Sequence, residues 1–430
     1  MHIAIVTAGG AGMFCGSCMH DNTWAQALQQ QGAEVTLIPT YTPIRVDEEN
    51  FSQQQVFFGG INVYLDYCFP LWQKMPRSLV HWLDSPKIIN LVTKLFVSND
   101  AKNLGGLTCA MLQGAAGPQH HEVKELTQFL VNDLQPDVIC FSNLLLSGII
   151  PHLRKQYSGK IFATLQGDDV FLNDLPEQHR AQAVTLISQN AESCDGFLTH
   201  SLFYADAMSR YFRLPREKFQ QLPLGINLDG HTGEVMPRGS DTFRVGYFAR
   251  ICPEKGLHRL IDAFLPLHDE YPQARLFAGG YLGERDQHYF RLQLKRVAHL
   301  GDHFQYIGSP ISLEEKAAFI SSCHVLSVPT EYEEPKGLYV WEALANGVPV
   351  IQPRHGAFSE MIAATSGGLL VEPNSATELT SQLKVLLEDD QHRQQLGRAG
   401  QTAIREQFNT QVMAEQTLKL FTSQLKSDDH

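Results

Sequence analysis

Glu334 and Glu342 are two carboxylates with seven residues between them in the stretch EEPKGLYVWEALANGVPVIQP, which runs from Glu333 to Pro353. Leu338, Trp341 and Leu344 recur at helical spacing, and Gly347 stands where a left-handed cap ends a helix. VPVIQP then reads as a buried parallel strand. Glu334 therefore lies in the loop ahead of the helix, and Glu342 sits one to two turns inside it. An ionised carboxylate only accepts hydrogen bonds. The two oxygens of Glu342 match the vicinal hydroxyls of a ribose, and Glu334 is placed to accept from the hydroxyls of a transferred sugar. Gly337 and Leu338 open the helix, so their amides can face a phosphate. Upstream, RICPEKGLHRL sets Arg250 at the end of a strand and Lys255 just before a helix N-terminus. Two cations there suit a pyrophosphate, because the helix dipole and its first amides add to the field. The plainer alternatives are a solvated pair of cations and two exposed glutamates on a helix surface.

The elements that must position these groups alternate along the chain. HIAIV precedes a helix through TWAQALQQQG and then EVTLIP, and DVICFS, KIFATLQG and GFLTHS are each followed by a helical stretch. After Asp229 the texture turns polar and glycine-rich in GHTGEVMPRGSDT, which reads as a linker. FRVGYFAR restarts the alternation, with ARLFAGG, FQYIG, HVLSVPT and PVIQP as further strands. This pattern predicts an α/β chain of two doubly wound domains in series. A length of 430 residues also argues for more than one core.

Composition narrows the function. With 43% hydrophobic and 19% charged residues the chain is globular, and no apolar run is long enough to span a membrane. The N-terminus reads as a strand rather than a signal peptide. The 8 cysteines are scattered apart from Cys15 and Cys18, which predicts a reducing, cytoplasmic location. A formal charge of -12 argues against nucleic acid as the main partner.

The stretch from Glu333 to Pro353 resembles the E-x7-E signature of family-four retaining glycosyltransferases, which have the GT-B fold. GYFARICPEKGLHRLIDAF resembles that family's phosphate-binding strand, loop and helix, and HVLSVPT resembles the strand before the signature. QGAEVTLIPTY and LPLGINLDGH resemble the N-terminal helix exit and the domain hinge. The resemblance implies two Rossmann-like doubly wound domains facing a cleft. Residues 1–228 form the acceptor side, 242–409 bind the nucleotide sugar, and a C-terminal helix over 410–430 crosses back to the first domain. It implies that Arg250 and Lys255 contact the donor diphosphate, Glu342 the ribose and Glu334 the donor sugar. The implied reaction moves a hexose from a nucleoside-diphosphate sugar to an unidentified hydroxyl acceptor, with retention at the anomeric carbon. No cofactor is implied beyond the donor, which is a co-substrate. No Asp-x-Asp occurs in the chain, so no metal site is expected and the diphosphate charge falls to Arg250, Lys255 and the amides near Gly337.

The first domain departs from the family's pattern. The usual Gly-Gly loop before the first helix reads here AGGAGMFCGSCMHDN, with Gly16 at the second glycine and Cys15 at the first. Where the family often has a histidine after a middle strand, ATLQGDDVF has Gln166, which can still bind a donor hydroxyl. Asp168 and Asp169 follow, either to bind acceptor hydroxyls or to cap the next helix. Cys15, Cys18 and His20 make only a partial metal-ligand set, so the CGSC loop is read as structural or donor-facing. Gly10, Gly12 and Gly16 form a weak dinucleotide fingerprint, but the second strand ends LIPTYTP with no acid for an NAD ribose. A nucleotide-sugar-binding protein with little turnover is the alternative, and an NAD-dependent oxidoreductase the lesser one. The aromatic, locally basic segment 68–98, with Lys74, Arg77, Lys87 and Lys94 against Asp84, either packs on the first domain or makes weak contact with an anionic membrane surface.

Overall fold

Short runs rich in Ile, Val and Phe, apolar at every position, become strands that are covered on both faces. The computed structural model describes residues 1–9, 16–46, 48–53, 56–58, 101–231, 242–309 and 312–426. The chain divides into one unit of 1–222 with 413–430 and a second of 223–412. Gly10, Gly12, Cys15, the segment 68–98 and most of the linker lie outside the described residues.

The first unit holds β1 (His2–Thr7), β2 (Glu34–Pro39), β3 (Val138–Phe141), β4 (Lys160–Thr164), β5 (Gly196–Thr199) and β6 (Phe219–Gln221). They pair in the order β2-β1-β3-β4-β5-β6, all parallel. Side chains alternate between two cores. Ile3 and Ile5 of β1 face one, with Val138 and Cys140, while Ala4 and Val6 face the other, with Ile139 and Phe141. Helix α1 (Gly16–Gln30) covers the first of these faces, and α2 (Asp168–Asn173) follows β4.

The second unit holds β7 (Phe243–Phe248), β8 (Ala274–Gly279), β9 (Phe304–Tyr306), β10 (Val325–Leu326), β11 (Val350–Pro353) and β12 (Gly368–Val371). Their order is β12-β11-β10-β7-β8-β9, again all parallel. Three helices carry its site: α3 (Leu257–Glu270), α4 (Leu313–Ser321) and α5 (Leu338–Ala345). The end of α5 is capped as the sequence predicts. Gly347 has φ +69°, its N–H reaches Leu344 O, and Val348 N–H reaches Ala343 O at 3.0 Å, which is a Schellman motif. Helix α6 (Thr410–Lys426) lies mostly in the first unit, where Met413, Ala414 and Phe421 join the core under α1. Trp24 Nε1 donates to Thr417 Oγ1 at 3.0 Å, and Phe421 stacks on Phe162 with ring centroids 5.0 Å apart.

Candidate active site

A doubly wound parallel sheet opens a crevice beyond the carboxyl ends of its strands, where the winding reverses. In the second unit the chain runs outward from β7 to β8 and β9, then returns to β10, so the reversal lies between β7 and β10. The loops leaving those two strands carry Arg250, Lys255 and Glu334. β7 ends at Phe248, two residues before Arg250 and earlier than the sequence suggests. A 3-10 turn over Pro253–Lys255 then hands the chain to α3 through Gly256. Gly256 has φ +75°, and a Cβ there would lie 1.8 Å from Pro329 O, so only glycine lets the two loops approach this closely.

That approach brings Lys255 onto Glu334. The ammonium Nζ lies 2.5 Å from Glu334 Oε2, with side-chain exposures of 16% and 5%. Tyr332 and Tyr339 donate their hydroxyls to the same oxygen at 2.9 and 3.0 Å. The Gly337 N–H reaches Oε1 at 3.4 Å. Lys255 Nζ also lies 5.1 and 5.3 Å from the ring centroids of the two tyrosines. Burial alone would raise the Glu334 carboxyl, but the Lys255 charge and the three hydroxyl and ammonium donors hold it below the usual carboxylate range. Burial beside that charge pushes both phenols well above their usual range, so they remain donors.

Arg250 is exposed, and its Nε donates to Cys252 Sγ at 3.3 Å. Gly337 is the left-handed residue before α5 (φ +56°), with Leu338 the first helical residue. The Gly337 amide is thus engaged by Glu334 in this state. Glu342 lies inside α5 with 8% exposure, and its Oε1 lies 2.7 Å from Lys316 Nζ of α4. Neither glutamate is a solvated surface group.

The first unit has its own reversal, between β1 and β3. Gln166, which follows β4, is buried, and its Nε2 donates to Asp21 Oδ1 at 3.0 Å and to Ser142 O at 3.2 Å. Asp21 also accepts from Thr7 Oγ1 at 2.7 Å and lies 3.3 Å from His20 Nδ1. Gly16 begins α1. Asp168 is a buried tie between loops: it accepts from the amides of Leu144 at 2.6 Å and Gln166 at 3.1 Å. Burial raises its carboxyl to about 6 against the pull of those amides. Asp169 accepts from Tyr204 Oη at 2.5 Å. Neither aspartate caps α2 through its side chain. Cys18 is a buried free thiol. Among the described residues no cluster of three metal-binding side chains occurs, and no helix is long and apolar enough to cross a membrane.

Tyr332, Tyr339 and Lys316 escaped the sequence reading. A signal for Lys316 exists: Leu313, Lys316, Ala317 and Ile320 form one buried helical stripe, and a lysine on it needs a buried partner.

Residues 235–403, almost all of the second unit, match the family described as Glycosyl transferases group 1. The second unit belongs to the group 1 glycosyl transferases. The expected resemblance to a glycosyltransferase family is thereby borne out over this unit. Among relatives, a capsular polysaccharide biosynthesis glycosyltransferase of Staphylococcus aureus is 24% identical over 44% of this chain and 48% of its own. A phosphatidyl-myo-inositol mannosyltransferase of Mycobacterium leprae is 26% identical over 47% of this chain and 52% of its own. The chain thus spans about half the length of these curated relatives. Solved structures match it throughout. A sucrose-phosphate synthase from Thermosynechococcus elongatus aligns over 99% of both chains with TM-score 0.68 and 19% identity. HepE of Anabaena in complex with UDP aligns over 98% of this chain and 100% of that one, with TM-score 0.67 and 16% identity. The chain therefore has the GT-B fold, with two parallel-sheet α/β domains.

Proposed function

We propose that the protein is a retaining hexosyltransferase that moves a sugar from a nucleoside-diphosphate sugar to an acceptor hydroxyl without a divalent metal. The observation that carries this reading is the Lys255–Glu334 pair, with Arg250 on the same loop as Lys255, at the winding reversal of a group 1 domain. In this reading Arg250 and Lys255 meet the diphosphate, whose negative charge grows as the sugar leaves. Glu342 accepts from the ribose and Glu334 from the hydroxyls of the sugar. Amides of Gly337 and Leu338 add to the field at the head of α5. Gly16 and Gln166 keep a donor-binding role as part of the proposal. The HepE structures hold UDP and UDP-glucose in that protein, which supports a nucleotide sugar as the ligand class here.

The environment of Glu334 bears on the mechanism. Three donors converge on Oε2 and hold the carboxyl below its usual range. Such an oxygen is a weak base and a weak nucleophile. It suits hydroxyl binding better than a covalent glycosyl intermediate. The reading is therefore same-face attack, in which the acceptor oxygen bonds to the anomeric carbon, the sugar–phosphate bond breaks, and the departing phosphate oxygen takes the acceptor's proton.

A thermal-shift screen with UDP-, GDP- and ADP-sugars identifies the donor class, since a ligand at 100 times its Kd stabilises by about 2.7 kcal/mol. Turnover with that donor is expected to persist in excess EDTA and to give a product with the donor's anomeric configuration by NMR. Turnover lost to EDTA and restored by magnesium or manganese would refute the charge assignment. An inverted linkage would refute the mechanism.

A further inference from the structure

The lysine that meets Glu342 is buried at 6% exposure, against 8% for the glutamate itself. Lys316 projects from α4 and Glu342 from the middle of α5, with 2.7 Å between Nζ and Oε1. A second layer fixes the helix beneath the carboxylate. Asn346 Nδ2 donates to Glu342 O at 2.9 Å and lies 2.8 Å from Nδ1 of the buried His231. Arg405 Nη2 in turn donates to His231 O at 3.0 Å. Burial lowers the His231 imidazole below its ordinary range, so its ring nitrogen accepts from the Asn346 amide. The turn beneath Glu342 is thus tied through Asn346 and His231 to Arg405.

Stability gives little reason to build such a pair. Two apolar side chains of similar volume generally do as well as a buried ion pair, or better. Orientation gives a reason. A carboxylate that must receive ribose hydroxyls has to hold one rotamer, with its free oxygen turned to the ligand. A buried ammonium on the other oxygen does this. We infer that Lys316 is a positioning residue for donor recognition, which fixes Glu342 so that the site prefers ribonucleotide over 2′-deoxyribonucleotide. The inference rests on the ribose reading of Glu342, and the closing experiment separates the two.

The probes are UDP, GDP and ADP with their 2′-deoxy counterparts, measured by calorimetry. The tightest ribonucleotide is expected to bind wild type on the order of 10- to 100-fold better than its 2′-deoxy form, the worth of a hydrogen bond to a charged acceptor. Glu342→Gln and Lys316→Met should each shrink that ratio to within about threefold, and Lys316→Arg should restore part of it. In turnover, Lys316→Met should raise KM for the donor with kcat nearly unchanged. Should Lys316→Met fail to fold, Lys316→Gln keeps a polar end beside the carboxylate without the charge, and the same loss of preference is expected in that variant. No ribose preference in wild type overturns the reading of Glu342. A preference that Glu342→Gln abolishes and Lys316→Met keeps overturns the role of Lys316 alone.

Discussion

At the residue scale, Lys255 has two functions that mutation would merge. It is assigned to the donor diphosphate, yet it also neutralises the buried Glu334 carboxylate. Lys255→Ala strands that charge, at a cost of about 3–5 kcal/mol in urea unfolding. Arg250 is exposed with one sulfur contact, so Arg250→Ala should change stability by less than about 0.5 kcal/mol while lowering kcat on the order of 100-fold. Lys255→Ala combined with Glu334→Gln should recover most of the stability and none of the turnover. A Lys255→Ala protein as stable as wild type would show that the pair does not hold the two loops together. The placement of Arg250, Lys255, Glu334 and Glu342 after strand ends and near helix starts was legible in the sequence, because the apolar runs and glycine breaks mark those boundaries. Tyr332, Tyr339 and Lys316 could not be assigned partners, because their contacts arise only when separate loops and helices are folded together.

At the element scale, the site depends on how closely the loop after β7 meets the loop after β10. Gly256 sets that distance, since its missing side chain leaves room for the Pro329 carbonyl. Gly256→Ala should destabilise the second unit by more than about 2 kcal/mol, read as a fall in its thermal midpoint. Gly32→Ala, just past the end of α1, is the control: its φ is +85°, but no atom lies within 4 Å of the added carbon. Only backbone strain of about 1 kcal/mol is then expected. Equal shifts for the two variants would remove the steric argument. Ten of the strands were legible, most of them as buried apolar runs; β9 was legible too, although it is an edge strand with no buried residue. β6 and β12 were missed: both are short edge strands of partial burial. FQQ and GLLV thus lack the strong pattern of a central strand.

At the scale of the whole molecule, the second unit is one continuous stretch, whereas the first is assembled from both ends of the chain. Helix α6 supplies Thr417 to Trp24 and Phe421 to Phe162. Deleting residues 413–430 should abolish cooperative unfolding of the first unit in calorimetry. The fragment 223–412 should still melt as one cooperative species, and a truncated chain with an unchanged first transition would refute this. The same connectivity orders events on the ribosome. The face formed by Trp24, Leu28 and Phe162 emerges early, but its covering helix is synthesised only after the whole second unit. At translation rates of about 5–20 residues per second, that apolar face waits roughly 10–40 s for its cover. The unit encoded second is therefore the first that can finish folding. Over that interval the nascent chain carries an apolar face without its cover, the condition under which partly made chains aggregate.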